Sequence, residues 1–214
     1  MAIVVVGGHS RNIGKTAVAA GLIAHLPQYH WTAFKVTQYG HGFCTANGEP
    51  CDCQTDDHTL AFSEERSTTS GTDTARFLAA GAERSIWVRT RVGMLAEAMP
   101  RIRKEIAAAE DVIIESNSIL QFLKPDLYLT VLDPGTADFK DSARLFLDRA
   151  DAVLINTAGH SLVPRWSGVS LRLIEGKPQF EITPPDYMTH EVADFVERRL
   201  HEVQTGQMRF RGET

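Results

Sequence analysis

The residues whose types and spacing carry the most chemistry stand near the start of the chain. Gly7-Gly8-His9-Ser10-Arg11-Asn12-Ile13-Gly14-Lys15-Thr16 follows the apolar Ile3-Val4-Val5-Val6 and precedes the apolar-periodic Ala17-Val18-Ala19-Ala20. A buried strand feeding a glycine-bounded loop that closes at a helix N-terminus is a cradle for phosphate. The main chain from Gly8 through Asn12, Ile13, Gly14, Lys15, Thr16 and Ala17 turns its N–H groups toward anionic oxygens. Lys15 adds a point charge for the terminal phosphates, and the Thr16 hydroxyl is a ligand for Mg²⁺. Five residues rather than the usual four separate Gly8 from Gly14, and His9 stands where glycine is common. Either the longer loop tolerates that side chain or His9 faces substrate.

Two more charged residues are placed by strands. Residues 31–37 read as a short β-rich strand carrying Lys35, and 111–115 as a buried parallel strand closed by Glu115 and followed by Ser116-Asn117-Ser118. In an open parallel sheet, ligands gather beyond the carboxyl ends of the strands. Lys35 then points toward the crevice of the phosphate loop, although by position alone it is a solvated lysine. An acid where Glu115 stands is placed to hold Mg²⁺, directly or through water.

The elements that must position these residues alternate. A helix is predicted over 14–26, with Ala17, Ala20, Leu22, Ile23 and Leu26 available to the sheet and Pro27 as its stop. Further helices are predicted over 73–81, 93–109, 140–149 and 189–202, and strands over 85–90, 126–132 and 152–155, the last leading into Asn156. Residues 171–174 and 179–182 suit a hairpin around Glu175-Gly176-Lys177-Pro178. The alternation predicts a three-layer α/β/α domain over 1–204 with a mostly parallel sheet, and a loose tail over 205–214.

Residues 38–71 show no sustained period, and a loop of that length is usually functional or disordered. It holds His41, Cys44, Cys51, Cys53 and His58. Three thiolates with one imidazole suit zinc; the Cys-x-Cys spacing is no standard finger or ribbon, and an iron–sulfur cluster lacks a fourth cysteine. Free thiols in a substrate-contacting loop are the alternative.

With 214 residues, 43% hydrophobic and 23% charged, the composition fits one globular domain. A net charge of −5 with pI near 5.9 leaves no basic footprint for nucleic acid. No apolar stretch approaches the roughly 20 residues that span a bilayer, and the chain enters its first strand without a cleavable leader. A cytoplasmic protein is expected.

Four motifs together, Gly8-x₅-Gly14-Lys15-Thr16, Phe34-Lys35-Val36, Ile114-Glu115-Ser116 and Leu154-Ile155-Asn156, resemble dethiobiotin synthetase. Asp73-Thr74-x-Arg76 running into Ala80-Gly81-Ala82 resembles MobB, the adaptor of molybdopterin guanine dinucleotide synthesis. Both families belong to the SIMIBI class of P-loop nucleoside triphosphatases. The resemblance spans residues 3 to 157 and implies ATP or GTP with Mg²⁺, and a small molecule or cofactor precursor as acceptor. It implies Lys15 and Lys35 on the transferred phosphoryl group, Thr16 and Glu115 on Mg²⁺, Asp73 as a second acid, and Asn156 on the base. Read without the resemblance, Asp73 stabilises a helix N-terminus and Asn156 is a turn residue. MinD-type dimers carry a lysine near the front of the loop where Ser10 and Arg11 stand, which argues against a nucleotide-sharing homodimer. Ser116-Asn117-Ser118 replaces the glycine-rich run of dethiobiotin synthetase, which argues against a diamino acid substrate. The rival reading is a nucleotide-dependent adaptor or metallochaperone with metal on Cys44, Cys51, Cys53 and His41.

Overall fold

The computed structural model describes residues 1–39, 60–158, 164 and 166–206. Along the chain run β1 (Ile3–Gly8), α1 (Lys15–His25), β2 (Trp31–Tyr39), β3 (Leu60–Glu64), α2 (Asp73–Ala79), β4 (Arg84–Arg91) and α3 (Leu95–Ala107). Then come β5 (Asp111–Glu115), β6 (Leu127–Leu132), α4 (Asp141–Phe146), β7 (Ala152–Asn156), β8 (Gln179–Ile182) and α5 (His190–Gln204). The sheet order is β3-β4-β2-β5-β1-β6-β7-β8. Every neighbouring pair is parallel except β3 with β4.

Helices α1, α2 and α5 cover one face, and α3 and α4 the other, which is the expected three-layer arrangement. Val4 and Val6 pack into the first layer and Val5 into the second, the two-residue alternation of a strand buried on both sides. Full burial of each such side chain contributes about 1.5–3 kcal/mol, so β1 is a firm base for the loop that leaves it. Register then aligns the chemistry: Val6 lies opposite Glu115 on β5, and Glu115 opposite Lys35 on β2. Phe34 and Ile114, one step earlier, pack with α3. Lys35 and Glu115 therefore turn toward α1.

Several expectations are corrected. On α1 and at its C-cap, Leu22, Ile23 and Leu26 are buried as expected and Ala20 packs partly against the core, but the fully buried set also holds Thr16, Val18 and Ala19, and Ala17 is not in it. β2 runs on to Tyr39, and 60–64, inside the stretch read as irregular, pairs antiparallel with β4. Residues 171–174 form a 3-10 turn with only Ile174 buried, and β8 adds parallel to β7 instead of closing a hairpin. The helix expected over 140–149 is α4 followed by a 3-10 turn, Leu147–Arg149. Cys44, Cys51, Cys53, His41 and His58 lie outside the described residues, as does 207–214 of the tail. No helix among the described residues is long and apolar enough to cross a membrane.

Candidate phosphate-binding site

The loop between β1 and α1 is clamped at both ends. Asn117, two residues past β5, accepts from the Gly8 N–H and donates to the Gly8 carbonyl, both at 2.8 Å. A Cβ on Gly7 would stand 2.2 Å from the Asn117 carboxamide oxygen, and one on Gly8 2.8 Å from the Val131 carbonyl. Two successive glycines are required here. At the far end, Asn156 donates to the Ile13 carbonyl at 3.0 Å and accepts from the Ala158 N–H at 3.1 Å. It is 3% exposed, with both amide groups engaged by the main chain. In this structure Asn156 fastens the loop.

Between the clamps, Asn12 and Gly14 take positive φ, 57° and 102°. Left-handed residues interleaved with right-handed ones turn successive N–H groups toward one side and form an anion nest. The main-chain N–H groups from Ser10 to Ala17 find no acceptor among the described residues. Gly14 precedes helix α1 as its N-cap and offers no side-chain cap, and the first turn holds no acid, so the positive end of the helix is bare. Exposed donors on a bare helix start fit a polyphosphate.

His9 proves to be a fastener rather than a substrate contact. It is fully buried, its Nδ1–H donates to the Asp138 carbonyl at 2.6 Å, and its Nε2 accepts from the Asp133 N–H at 2.9 Å. Phe139 stacks on the ring, and Trp166 meets it edge-on. The Asp133 N–H demands a bare Nε2, so the imidazole is neutral; burial holds its pKa below the ordinary histidine value. In the unfolded chain His9 takes up a proton near pH 6.5. Stability from this group is therefore present above that pH and is lost as pH falls toward the folded value. His9→Ala, by stranding the Asp133 N–H and the Asp138 carbonyl, is expected to cost about 1–3 kcal/mol at pH 7. Urea unfolding of both proteins from pH 7 to pH 5 should show that gap narrowing, and a constant gap would contradict the assignment.

The charged groups meet above Val6. Lys35 Nζ lies 2.5 Å from Glu115 Oε1 and 2.9 Å from Asp73 Oδ2, and Thr16 Oγ1 donates to Glu115 Oε2 at 2.7 Å. Burial pulls the Lys35 ammonium down, but the Glu115 and Asp73 carboxylates together outweigh it and hold its pKa above the usual value. Lys15 bonds back to the Ser10 carbonyl. Burial, with the repulsion of Lys140 and Lys35, lowers Lys15 to about 8 against the pull of Glu115. Asp73 stands in the first turn of α2, as expected of a helix N-terminal acid, and also pairs with Lys35. A hydroxyl and two carboxylates are the donors that Mg²⁺ prefers, and a cation already sits among them as the Lys35 ammonium.

Sequence reasoning missed several supporting residues. Asn117 was signalled only by the doubled glycine at 7–8. The Ser/Thr run at 67–70 belongs to a turn around Glu65, which accepts from Thr72 Oγ1 at 2.8 Å, the Ser67 N–H at 3.0 Å and Ser70 Oγ at 3.0 Å. Those bonds, the one from Thr72 foremost, hold the Glu65 carboxyl at about 2. The same Thr72 oxygen caps α2 by accepting from the Ala75 N–H at 3.0 Å, and so sets where Asp73 stands. Among the described residues no group of three His, Cys, Asp or Glu is arranged to hold a metal ion.

No protein-family model and no curated protein matches the chain. Among solved structures it is similar to HypB from Helicobacter pylori in complex with nickel, at 15% identity and TM-score 0.51, covering 98% of this chain and 91% of that one. It is also similar to the "apo" form of LpxK from Aquifex aeolicus in complex with ATP, at 15% identity and TM-score 0.47, covering 85% of this chain and 53% of that one. MobB from Bacillus subtilis follows at 14% identity and TM-score 0.42, with 94% and 98% covered. The likeness to HypB, taken with the sheet and loop above, shows the fold: this chain has the three-layer fold of the P-loop nucleoside triphosphatases.

Proposed function

We propose that the chain binds ATP or GTP with Mg²⁺ and either hydrolyses it or transfers its terminal phosphoryl group to a small molecule or cofactor precursor, with chemistry of the dethiobiotin synthetase kind. The observation that carries this reading is the juxtaposition of a nest of N–H groups that find no acceptor among the described residues with Lys15, Lys35, Thr16 and Glu115 at one set of strand ends. Phosphoryl transfer asks a protein mainly to position the reacting groups and neutralise the equatorial oxygens. The N–H groups from Asn12 to Ala17 would take the phosphates, with Lys15 and Lys35 on the transferred group. Thr16 and Glu115 would hold Mg²⁺, with Asp73 as a further acid; the ion would add positive charge on the phosphate oxygens. Calorimetric titration with Mg²⁺-nucleotide tests the reading. Lys15→Ala is expected to weaken binding at least about tenfold, the scale of losing charge-assisted bonds to phosphate. Wild-type protein that takes up neither ATP nor GTP would overturn it.

A second reading is supported by the thiols at 44, 51 and 53 and by the nickel in the HypB structure's own description. In it the chain is an adaptor or metallochaperone whose Cys44, Cys51, Cys53 and His41 hold zinc, iron or another metal while nucleotide changes its shape. Elemental analysis of freshly purified protein separates the two. Stoichiometric metal favours the second.

A further inference from the structure

We propose that Lys140 is a third phosphate-contacting cation, reserved for the outermost phosphoryl group and brought to the loop by the segment that His9 fastens. This deepens the function proposed above and rests on it. Lys140 immediately precedes α4, and its N–H donates to the His9 carbonyl at 2.9 Å, which ties its backbone directly to the phosphate loop. The tie is reinforced on either side: Ser10 Oγ donates to Asp138 Oδ2 at 2.7 Å, and the His9 imidazole holds both Asp133 and Asp138. The segment leaving β6 and the front of the loop are therefore tied together at several points.

The side chain of Lys140 is half-buried, yet it makes no hydrogen bond or ion pair with any described residue. Its electrostatic neighbours are Arg11 and Lys35, both repulsive, with Asp138 and Glu115 attractive, and it repels Lys15 in turn. Of the other cations, Arg11 is exposed to solvent, and the two lysines have commitments. Lys35 is held by Glu115 and Asp73, and Lys15 by the Ser10 carbonyl. A half-buried ammonium without an acceptor, set among like charges, is unfavourable unless an anion arrives to join them. A nucleoside triphosphate brings one more negative charge than a diphosphate. Lys140, half-buried and without an acceptor among the described residues, is placed to join Lys15 and Lys35 in meeting it.

The test compares Mg²⁺-bound non-hydrolysable triphosphate with diphosphate by calorimetric titration of wild type, Lys140→Met and Lys140→Arg. Methionine keeps the length and removes the charge. It is expected to weaken triphosphate binding about tenfold, the scale of a charge-assisted bond, while diphosphate affinity changes less than about threefold. Arginine should restore most of the difference, and the urea midpoint of Lys140→Met should stay at or above wild type, because no protein partner is lost and like-charge repulsion is relieved. Equal weakening of both nucleotides, or no weakening of either, would overturn the assignment while leaving nucleotide binding intact. Wild-type protein that binds neither nucleotide overturns both it and the proposed function, and that outcome is read before any variant is made.

Discussion

Glu115→Leu is expected to reduce Mg²⁺-nucleotide turnover by about 10³-fold, the upper range for removing one preorganised electrostatic group, and to lower the free energy of unfolding by about 3 kcal/mol. Glu115 is 3% exposed at the end of β5 and accepts from both Lys35 and Thr16. Its removal leaves an ammonium with a single remaining carboxylate, Asp73. Breaking a buried pair from one side commonly costs about 3–5 kcal/mol. The low end applies because the Lys35 side chain is 18% and that of Asp73 42% exposed, so water can take part of the load. Two companion variants separate the causes. Glu115→Gln keeps the volume and one acceptor, so it should recover much of the stability and little of the turnover. Glu115→Leu combined with Lys35→Met removes both charges and should be more stable than the sum of the single losses predicts. Urea unfolding and phosphate release read the two effects separately. A Gln variant with wild-type turnover would remove Glu115 from the proposed chemistry.

What could be read in the sequence was whatever the chain settles locally or by rule. β1, the loop and α1 are consecutive, so glycine placement and apolar periodicity suffice. Lys35 and Glu115 come from distant segments, but a parallel sheet brings the carboxyl ends of its strands to one edge, which places both without knowledge of their neighbours. Beyond that reach, pairing and packing decide. β3 was illegible because Leu60–Glu64 carries no period of its own and is a strand only against β4. The hairpin at 171–182 failed for the converse reason. Residues 179–182 are a strand, but they pair parallel with the open edge of β7, while 171–174 close into a 3-10 turn. His9 within the loop, Asn117 past β5 and Asn156 at the end of β7 hold it through contacts between residues far apart in the chain. No spacing rule announces such contacts. Each was visible only as an unusual residue beside a glycine or at the end of a strand.

The other large effect is expected at Gly14. A side chain there meets two obstacles of different origin: φ is 102°, where non-glycine residues are strained by about 1–3 kcal/mol, and a Cβ would lie 2.4 Å from Tyr187 Cε1 and 2.6 Å from Cδ1. The chain before α5 lies along the start of α1, since Met188 in the same way fills the space beside Gly21. Gly14→Ala must therefore displace the Tyr187 ring, flip its own backbone, or do both. Flipping disperses the nest, because the N–H groups that follow Gly14 are aimed by its left-handed turn. Loss of nucleotide affinity by about a hundredfold is expected, together with about 2–4 kcal/mol of stability once strain and overpacking are combined. Adding Tyr187→Ala opens the space but leaves φ as it was. The double variant should regain part of its resistance to urea while its affinity for Mg²⁺-nucleotide stays low. Recovery of affinity along with stability would mean that the ring, and not the backbone turn at Gly14, governs the cradle, and wild-type affinity in Gly14→Ala alone would mean that the nest is not where the phosphates bind.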